Sequence, residues 1–561
     1  MRSPRLSWLM LISAILIALW LGVAWGGEVW WEEGRRLAHF LFRKQDMPAL
    51  ALGCSALGLG AFAIRFVPAV KGEWARNTRV AGALMIVFAL IAWTGRYWLF
   101  GDYALSRDEE MAEFAARAMR DGWLARPIPA EWLDYRRAIM PEFFSPYGAN
   151  HYWLAAYLPL NAGFRALCGF LGDPNLAGPL FLVLGLFALW STARRLMPER
   201  NDAVAVTLLM ALSSAQLLVT GMTPYAMTGH FALNMLWLAL VLRDDRLGHG
   251  LAGLVTLLLA GLHQWHYPLV FLTPFLLWFA LGRRWGVLVF HSAALALAVV
   301  LWAKLWPVMM IDLYGPAADV RPSAGVGDKL ESLMDRLDKW RPLLHLSRFL
   351  AWNNLLLVPL AFVGLWRMNW RAALKGRGVA LPLGLGALGM AALSIDQGYG
   401  WGYRYLHGFI GSFALLAGLG WASLRRSDMR TVALSLLVAV MTGSFLVMRA
   451  HDYVAPYAAV HRRIMASGAD VVLVDPRGGR YVTDVVRGED NEPLGRPVVM
   501  AIAQLNMARL DRLCDRYDVA VLDIHAFAPL GVTVVPWGTR HIAALRDHMD
   551  ARGCGRVISA Y

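Results

Sequence analysis

Apolar stretches of about twenty residues recur along this chain of 561, and a helix of that length crosses the roughly 30 Å of hydrocarbon in a bilayer. Inside a membrane every backbone N–H and C=O must be paired within the protein, so such stretches admit helices and exclude isolated strands or loops. About thirteen are present, over 7–26, 48–68, 80–100, 175–193, 203–221, 231–243, 248–263, 267–282, 286–306, 349–366, 379–394, 405–424 and 431–448. Charged residues make up 17% of the chain, below the usual level of soluble domains. An ordinary cytosolic enzyme, a disordered protein and a secreted disulfide scaffold are therefore excluded. In a soluble chain the net charge of +14 would suggest nucleic acid. Here basic residues at the cytoplasmic ends of membrane helices account for it, and no nucleic-acid partner is expected.

Orientation follows from where Lys and Arg collect. With the N-terminus inside, the inner turns hold Arg2 and Arg5, then Lys71, Arg76 and Arg79, then Arg194, Arg195 and Arg200, then Arg243 and Arg246, then Arg283 and Arg284, then Arg367, Arg371, Lys375 and Arg377, and last Arg425, Arg426 and Arg430. Every inner turn is basic. The outer segments 28–46, 101–174, 307–348 and the tail from about 450 are longer and mix signs. Residues 1–26 have the charge and apolar run of a signal peptide, but the pattern fits a retained first span. The expectation is a multi-pass protein of the inner (cytoplasmic) membrane, with its long loop and tail in the periplasm of a Gram-negative host.

The tail changes character. From Ala469 it reads ADVVLVDPRGGRYVTDVV, then DVAVLDI, then GVTVVPW, short Val-rich runs bounded by Asp, Pro and Gly, as strands are. With a helical stretch expected over about 495–516, these runs predict a small α/β extracytoplasmic domain. Cys514 and Cys554 fall in this tail. In an oxidising compartment they are candidates for a bridge, with two separate thiols as the alternative, since the sequence carries no Cα separation. The fold class expected is thus mostly α, a polytopic helical bundle with a small C-terminal α/β domain.

Transporters place ionisable groups near mid-membrane and repeat their halves. Arg65 and Lys304 instead lie near span ends, and no internal repeat is evident. The unusual polar residues cluster in outer segments, which points to chemistry at the outer face. One cluster, SRDEEMAEFAARAMRDGW, puts Asp108, Glu109 and Glu110 at the start of an amphipathic helix, where acids also serve the helix N-terminus. A second, EFFSPYGANHYWLAAYLPL, surrounds Asn150 and His151 with Phe143, Phe144, Tyr147, Tyr152 and Trp153. A third, LLLAGLHQWHYPLVFLTP, places His263, Gln264, Trp265 and His266 in a short outer turn. Two His three apart can share a metal, although a lone pair more often holds hydrogen bonds or faces a phosphate. The fourth, DQGYGWGYRYLHGF, carries Arg404, Tyr405 and His407 behind Gly398, Gly400 and Gly402. Arg offers the planar fork that suits phosphate oxygens.

Taken together, these segments resemble the GT-C superfamily of membrane glycosyltransferases, such as the lipid A aminoarabinose transferases and protein O-mannosyltransferases. In that superfamily an Asp-Glu pair opens a helix in the first outer loop, and a segment of the type aromatic-x-x-Pro-x-x-x-x-Trp follows. Asp108 and Glu109 match the pair, Arg117 and Met119 the helix, and Phe144, Pro146 and Trp153 are similar to the second segment. The Glu-Lys pair of the aminoarabinose transferases has no counterpart, since Ser145, Pro146 and their neighbours stand there. The resemblance covers most of 80–425. It implies two additional spans over 1–79, a catalytic membrane domain over 80–449 with its long outer loop at 101–174, and a periplasmic α/β domain over 450–561.

The activity implied is transfer of a sugar from a polyprenyl phosphate donor to a hydroxyl on an envelope glycan, lipid or protein. The resemblance gives Asp108 and Glu109 the catalytic role. Arg404, Tyr405, His263 and His266 would hold the donor phosphate, and Asn150, His151, Trp153 and His407 would line the substrate groove. A divalent metal is possible, with no complete ligand set visible, and a transporter or flippase for a lipid-linked precursor is the alternative. The orientation has a direct test: single Cys variants within 370–376, in a Cys-free background, are expected to resist membrane-impermeant labels added from outside, and labelling there would invert the assignment.

Overall fold

The computed structural model describes residues 5–29, 37–67, 72–140, 151–316, 341–393, 397, 400–424, 428–478, 482–488, 493–522, 525–526 and 540–558. Each apolar stretch carries helix. Among the described residues, seven helices have the length and hydropathy of a full span: Trp8–Gly26, His39–Phe66, Thr78–Phe100, Pro174–Leu196, Trp285–Tyr314, Arg404–Ala422 and Met429–Met465. Asn201–Leu212 and Ala215–Gly221 make a further span bent by 51°. Met227–Val241, Arg246–Gly261, Tyr267–Leu281, Leu357–Trp366 and Ala380–Ala392 are apolar but shorter. The protein is a multi-pass membrane protein, and five of the expected spans are built from helices below the usual crossing length.

Local chemistry explains the breaks. At the 51° bend Ser213 turns its hydroxyl back to the Leu209 carbonyl (2.7 Å), while Ser214 caps the next helix by accepting from the Leu217 N–H (3.0 Å). Side chains that bond their own backbone offer an alternative to the helical ladder, so two adjacent serines interrupt it. Asp245 likewise caps Arg246–Gly261 through the Gly248 N–H. Where Leu357–Trp366 meets Ile410–Ala422, a Cβ on Gly364 would strike the Leu416 carbonyl and one on Gly420 the Leu360 carbonyl. Small residues let these backbones touch, as helix association without a hydrophobic driving force requires.

The chain divides into two compact units. The first comprises Met1–Thr94, Asn175–Leu305 and Pro322–Arg449, and the second Gly95–Pro174, Trp306–Arg321 and Ala450–Tyr561. Within the second, β1 (Arg126–Pro127) pairs antiparallel with β2 (Tyr152–Trp153). A four-stranded parallel sheet runs in the order β4 (Val498–Ala501), β3 (Val471–Val474), β5 (Val519–Leu522), β6 (Arg556–Val557). The Val-rich runs at 471 and 519 are strands, as read; GVTVVPW lies outside the described residues. The segment 495–516 is not one helix: β4 precedes the helix Met507–Arg516. A four-residue apolar run such as Val498–Ala501 has no periodicity that separates a buried strand from a helix turn, and its parallel pairing with β3 decides it.

Loop and tail share one core in this unit. Met111, Phe114 and Trp153 from the outer loop pack with Leu473, Met500 and Leu545 from the tail. Cys514 and Cys554 form a disulfide, with Cα atoms 5.8 Å apart, joining the helix Met507–Arg516 to the turn after Arg540–Arg552. The bridge closes a loop of 40 residues, which by the chain-entropy estimate contributes about 4 kcal/mol. Cys514→Ser with Cys554→Ser is expected to lower the denaturant midpoint of the tail in the full-length protein. Equal midpoints for variant and wild type would remove the bridge from the stability of this unit.

Candidate active site

The three acids that open the outer-loop helix Arg107–Arg120 have three different tasks. Ser106 is the N-cap, and Glu109 completes a capping box: the Ser106 side chain accepts from the Glu109 N–H, and the Glu109 carboxylate accepts from the Ser106 N–H at 2.9 Å. Such a box satisfies two helix-end donors at once. Glu110 pairs with Arg107 and lies 3.5 Å from Arg487. Those two arginines reach the carbonyls of Thr483 and Val486, and of Leu105, while the Arg107 N–H donates to Asp484 at 3.0 Å. Glu110 therefore clamps loop to tail. Asp108, half-buried, accepts a hydrogen bond from the Tyr157 hydroxyl.

The remaining loop candidates separate. Trp153 is in the core of the second unit, 1% exposed, and His151 is at the surface with its carbonyl accepting from Ile128. Asn150, Phe144 and Pro146 lie outside the described residues.

In the first unit, Arg404 is positioned by its backbone. Gln397 accepts from the Arg404 N–H (2.7 Å) and donates to the carbonyl of Gly402 (2.8 Å), and Gln216 donates to that of Tyr403 (2.8 Å). Gly402 has φ +68°, and a Cβ there would meet the Gln216 side chain, so this turn requires glycine. Arg348, fully buried, donates to the Gly400 carbonyl (2.6 Å) and pairs with the equally buried Asp46 (2.9 Å), which also accepts from the Trp352 indole (2.6 Å). His345 stacks on Tyr403 at 4.8 Å and 9°. None of Asp46, Arg348, Gln216 or Gln397 is singled out by the sequence motifs.

This scaffold presents Arg404 to a cavity lined also by His230, Asn234, His263, Tyr267 and Tyr405. The Arg404 guanidinium lies over the rings of Tyr405 (5.3 Å) and Tyr225 (5.7 Å). Tyr267 is the hub: Tyr405 is 5.8 Å away, His263 stacks on it at 5.8 Å, and His266 is at 4.7 Å. Three residues read from two distant motifs, His263, His266 and Tyr405, thus gather around one ring, and Arg404 lies against Tyr405. His407 is fully buried and does not line this cavity, and its ring nitrogens have no hydrogen-bond partner among the described residues. Among the described residues no three His, Cys, Asp or Glu side chains converge as a metal site requires. Within the acidic cluster, Glu109 and Glu110 are committed to a backbone donor and to arginines.

The fold is similar to that of a solved structure, ArnT. ArnT from Cupriavidus metallidurans bound to undecaprenyl phosphate aligns with TM-score 0.51 and 12% identity, over 85% of this chain and 89% of that one. The same protein in its apo state gives 0.49 and 14% identity, over 72% and 83%. The oligosaccharyltransferase of Archaeoglobus fulgidus, tethered to an acceptor peptide, gives 0.39 and 13%, over 70% and 58%. No protein-family profile and no curated protein sequence matches the chain. The resemblance read from the loop motifs holds at the level of the fold.

Burial pushes the Glu109 carboxyl up to about 7, against the opposing Ser106 N–H bond and the Arg96 and Arg487 charges. An acid whose pKa is raised by folding adds stability in its protonated form; that contribution is complete below the ordinary value of 4.5 and is lost as pH rises through about 7. Glu109→Gln keeps a capping side chain but cannot titrate. The difference in melting temperature of the second unit between about pH 5 and about pH 8 is expected to narrow in this variant. An unchanged difference would assign the pH dependence to other groups, Glu110 first.

Proposed function

We propose that the protein transfers a sugar from a polyprenyl phosphate donor to a hydroxyl acceptor at the outer face of the inner membrane, in the periplasm. The observation that carries this reading is the gathering of Arg404, Tyr405 and His263 around one cavity in a GT-C fold, with His266 against the Tyr267 ring of its wall. The solved structure with that fold holds undecaprenyl phosphate, the class of lipid this reading requires.

In this reaction the acceptor oxygen attacks the anomeric carbon, and the bond from that carbon to the phosphate oxygen breaks with its electron pair leaving on the phosphate. Two groups are needed: a base for the hydroxyl proton and donors for the departing phosphate. Arg404 supplies a fork of N–H donors, backed by the Tyr405 hydroxyl at 3.4 Å, with the His263 and His266 rings alongside. Asp108 is the base in this proposal, since its neighbours Glu109 and Glu110 are engaged in capping and clamping, and Tyr157 fixes its carboxylate. The acceptor is a glycan, lipid or protein of the envelope.

The rival, a transporter or flippase, has one feature in its favour, the span broken at Ser213 and Ser214. Purified protein in liposomes with a polyprenyl phosphate sugar separates the two. Asp108→Asn is expected to abolish transfer while leaving donor binding and expression intact. Arg404→Lys keeps the charge but loses the fork, so turnover should fall about tenfold or more, toward the Arg404→Ala level. Near-wild-type turnover of the Lys variant would remove Arg404 from the phosphate site, and donor movement across the bilayer without product would favour the rival.

A further inference from the structure

The helix Met227–Val241 is apolar, yet His230 and Asn234, one turn apart, both line the cavity beside Arg404. Polar side chains on a membrane helix are costly and need partners. Asn234 is 3% exposed, and its amide nitrogen donates to the Gly408 carbonyl at 3.0 Å, which fixes the direction of the side chain. Its Oδ1 then has no partner among the described residues, and neither has the Nε2 of His230.

The chemistry of these atoms selects among the parts of a lipid-phosphate sugar. An amide oxygen accepts only, so what meets it must carry a hydrogen-bond donor. An isoprenoid chain has none, and an ionised phosphate brings acceptors to an acceptor. A sugar hydroxyl donates to Asn234 and can exchange a hydrogen bond with either tautomer of His230. Met227, Pro268, Met390 and the Tyr267 and Tyr405 rings add apolar and aromatic walls that suit the C–H faces of a sugar ring.

We propose that this cavity seats the hydroxyl-bearing sugar of the donor, with Asn234 accepting from one ring hydroxyl and His230 contacting a second. The assignment rests on the glycosyl-transfer reading above. It makes His230 and Asn234 the residues that distinguish a charged donor from its spent lipid phosphate, and lets the sugar enter alongside the Arg404 fork.

Binding to the full-length protein in nanodiscs tests it, with undecaprenyl phosphate and its glucose, mannose, galactose and arabinose glycosides as probes. Wild type is expected to prefer at least one glycoside over the bare lipid phosphate. Asn234→Leu should erase that preference, about tenfold or more, while the bare lipid phosphate binds as before. Equal weakening of both ligands, or a preference that survives, would overturn the assignment. Should the variant fold poorly, wild type with monodeoxy forms of the preferred glycoside gives the same answer: one position must lose the preference, and uniform binding of all of them overturns the proposal. A wild type that binds the lipid phosphate but prefers no glycoside overturns this inference alone. One that binds none of the probes overturns the reaction itself.

Discussion

A single buried ion pair, Asp46 with Arg348, underlies the Arg404 turn. Both side chains are wholly removed from solvent, and two charges in that position persist only with close geometry and further hydrogen bonds. Trp352 supplies one of those bonds to Asp46, and the Gly400 carbonyl takes one from Arg348. The carboxylate therefore fixes a guanidinium that in turn fixes a glycine, four residues ahead of Arg404. Removing one partner of such a pair costs about 3–5 kcal/mol, because the other charge is left buried and alone. The helix that carries Asp46 makes a π-helical turn over Phe42–Asp46 as it enters His39–Phe66. Irregular turns of this kind inside helices often mark functional positions. The N-terminal spans, additional to the motif-bearing part of the chain, thus contribute to the architecture beneath the cavity.

Two kinds of information separate here. Hydropathy, charge bias and Val-rich runs are local, and they make the helices, β3 and β5 and the polar character of the outer turns legible. The same holds for His263, His266, Arg404 and Tyr405, whose motifs are short and self-contained. Asp46 was hidden because its neighbours Arg43, Lys44 and Gln45 make 28–46 read as an outer segment, whereas the helix begins earlier and draws the carboxylate inside. Its partner is 302 positions away, a separation no spacing rule reaches. His230 and Asn234 did carry a signal, two polar residues at helical spacing in an apolar run. It was weak because Asn is uncharged and His is often neutral, so neither stands out as a mid-membrane charge does.

The acid triplet shows how little a motif says about the task of each member. Consecutive residues on a helix point about 100° apart, so Asp108, Glu109 and Glu110 meet three environments. One faces Tyr157, one turns back to the cap and one is enclosed by two arginines. Identical chemistry in the sequence becomes three functions through direction alone, and only Asp108 keeps partial exposure.

The clamp made by Glu110 also has a consequence for biogenesis. Arg107 bonds to Asp484 and Arg487 lies beside Glu110, partners about 377 positions apart in the chain. Ribosomes add roughly 5–20 residues per second, so the acidic loop waits on the order of tens of seconds for the segment that completes its core. Throughout that interval the loop lacks the tail side of the core that Met111 and Phe114 join, and Glu110 lacks its second arginine, Arg487. The membrane helices emerge and insert in the meantime. Assembly of the second unit is consequently a late event in making this protein, and a chain shortened at its C-terminus would carry an unfinished loop near its beginning.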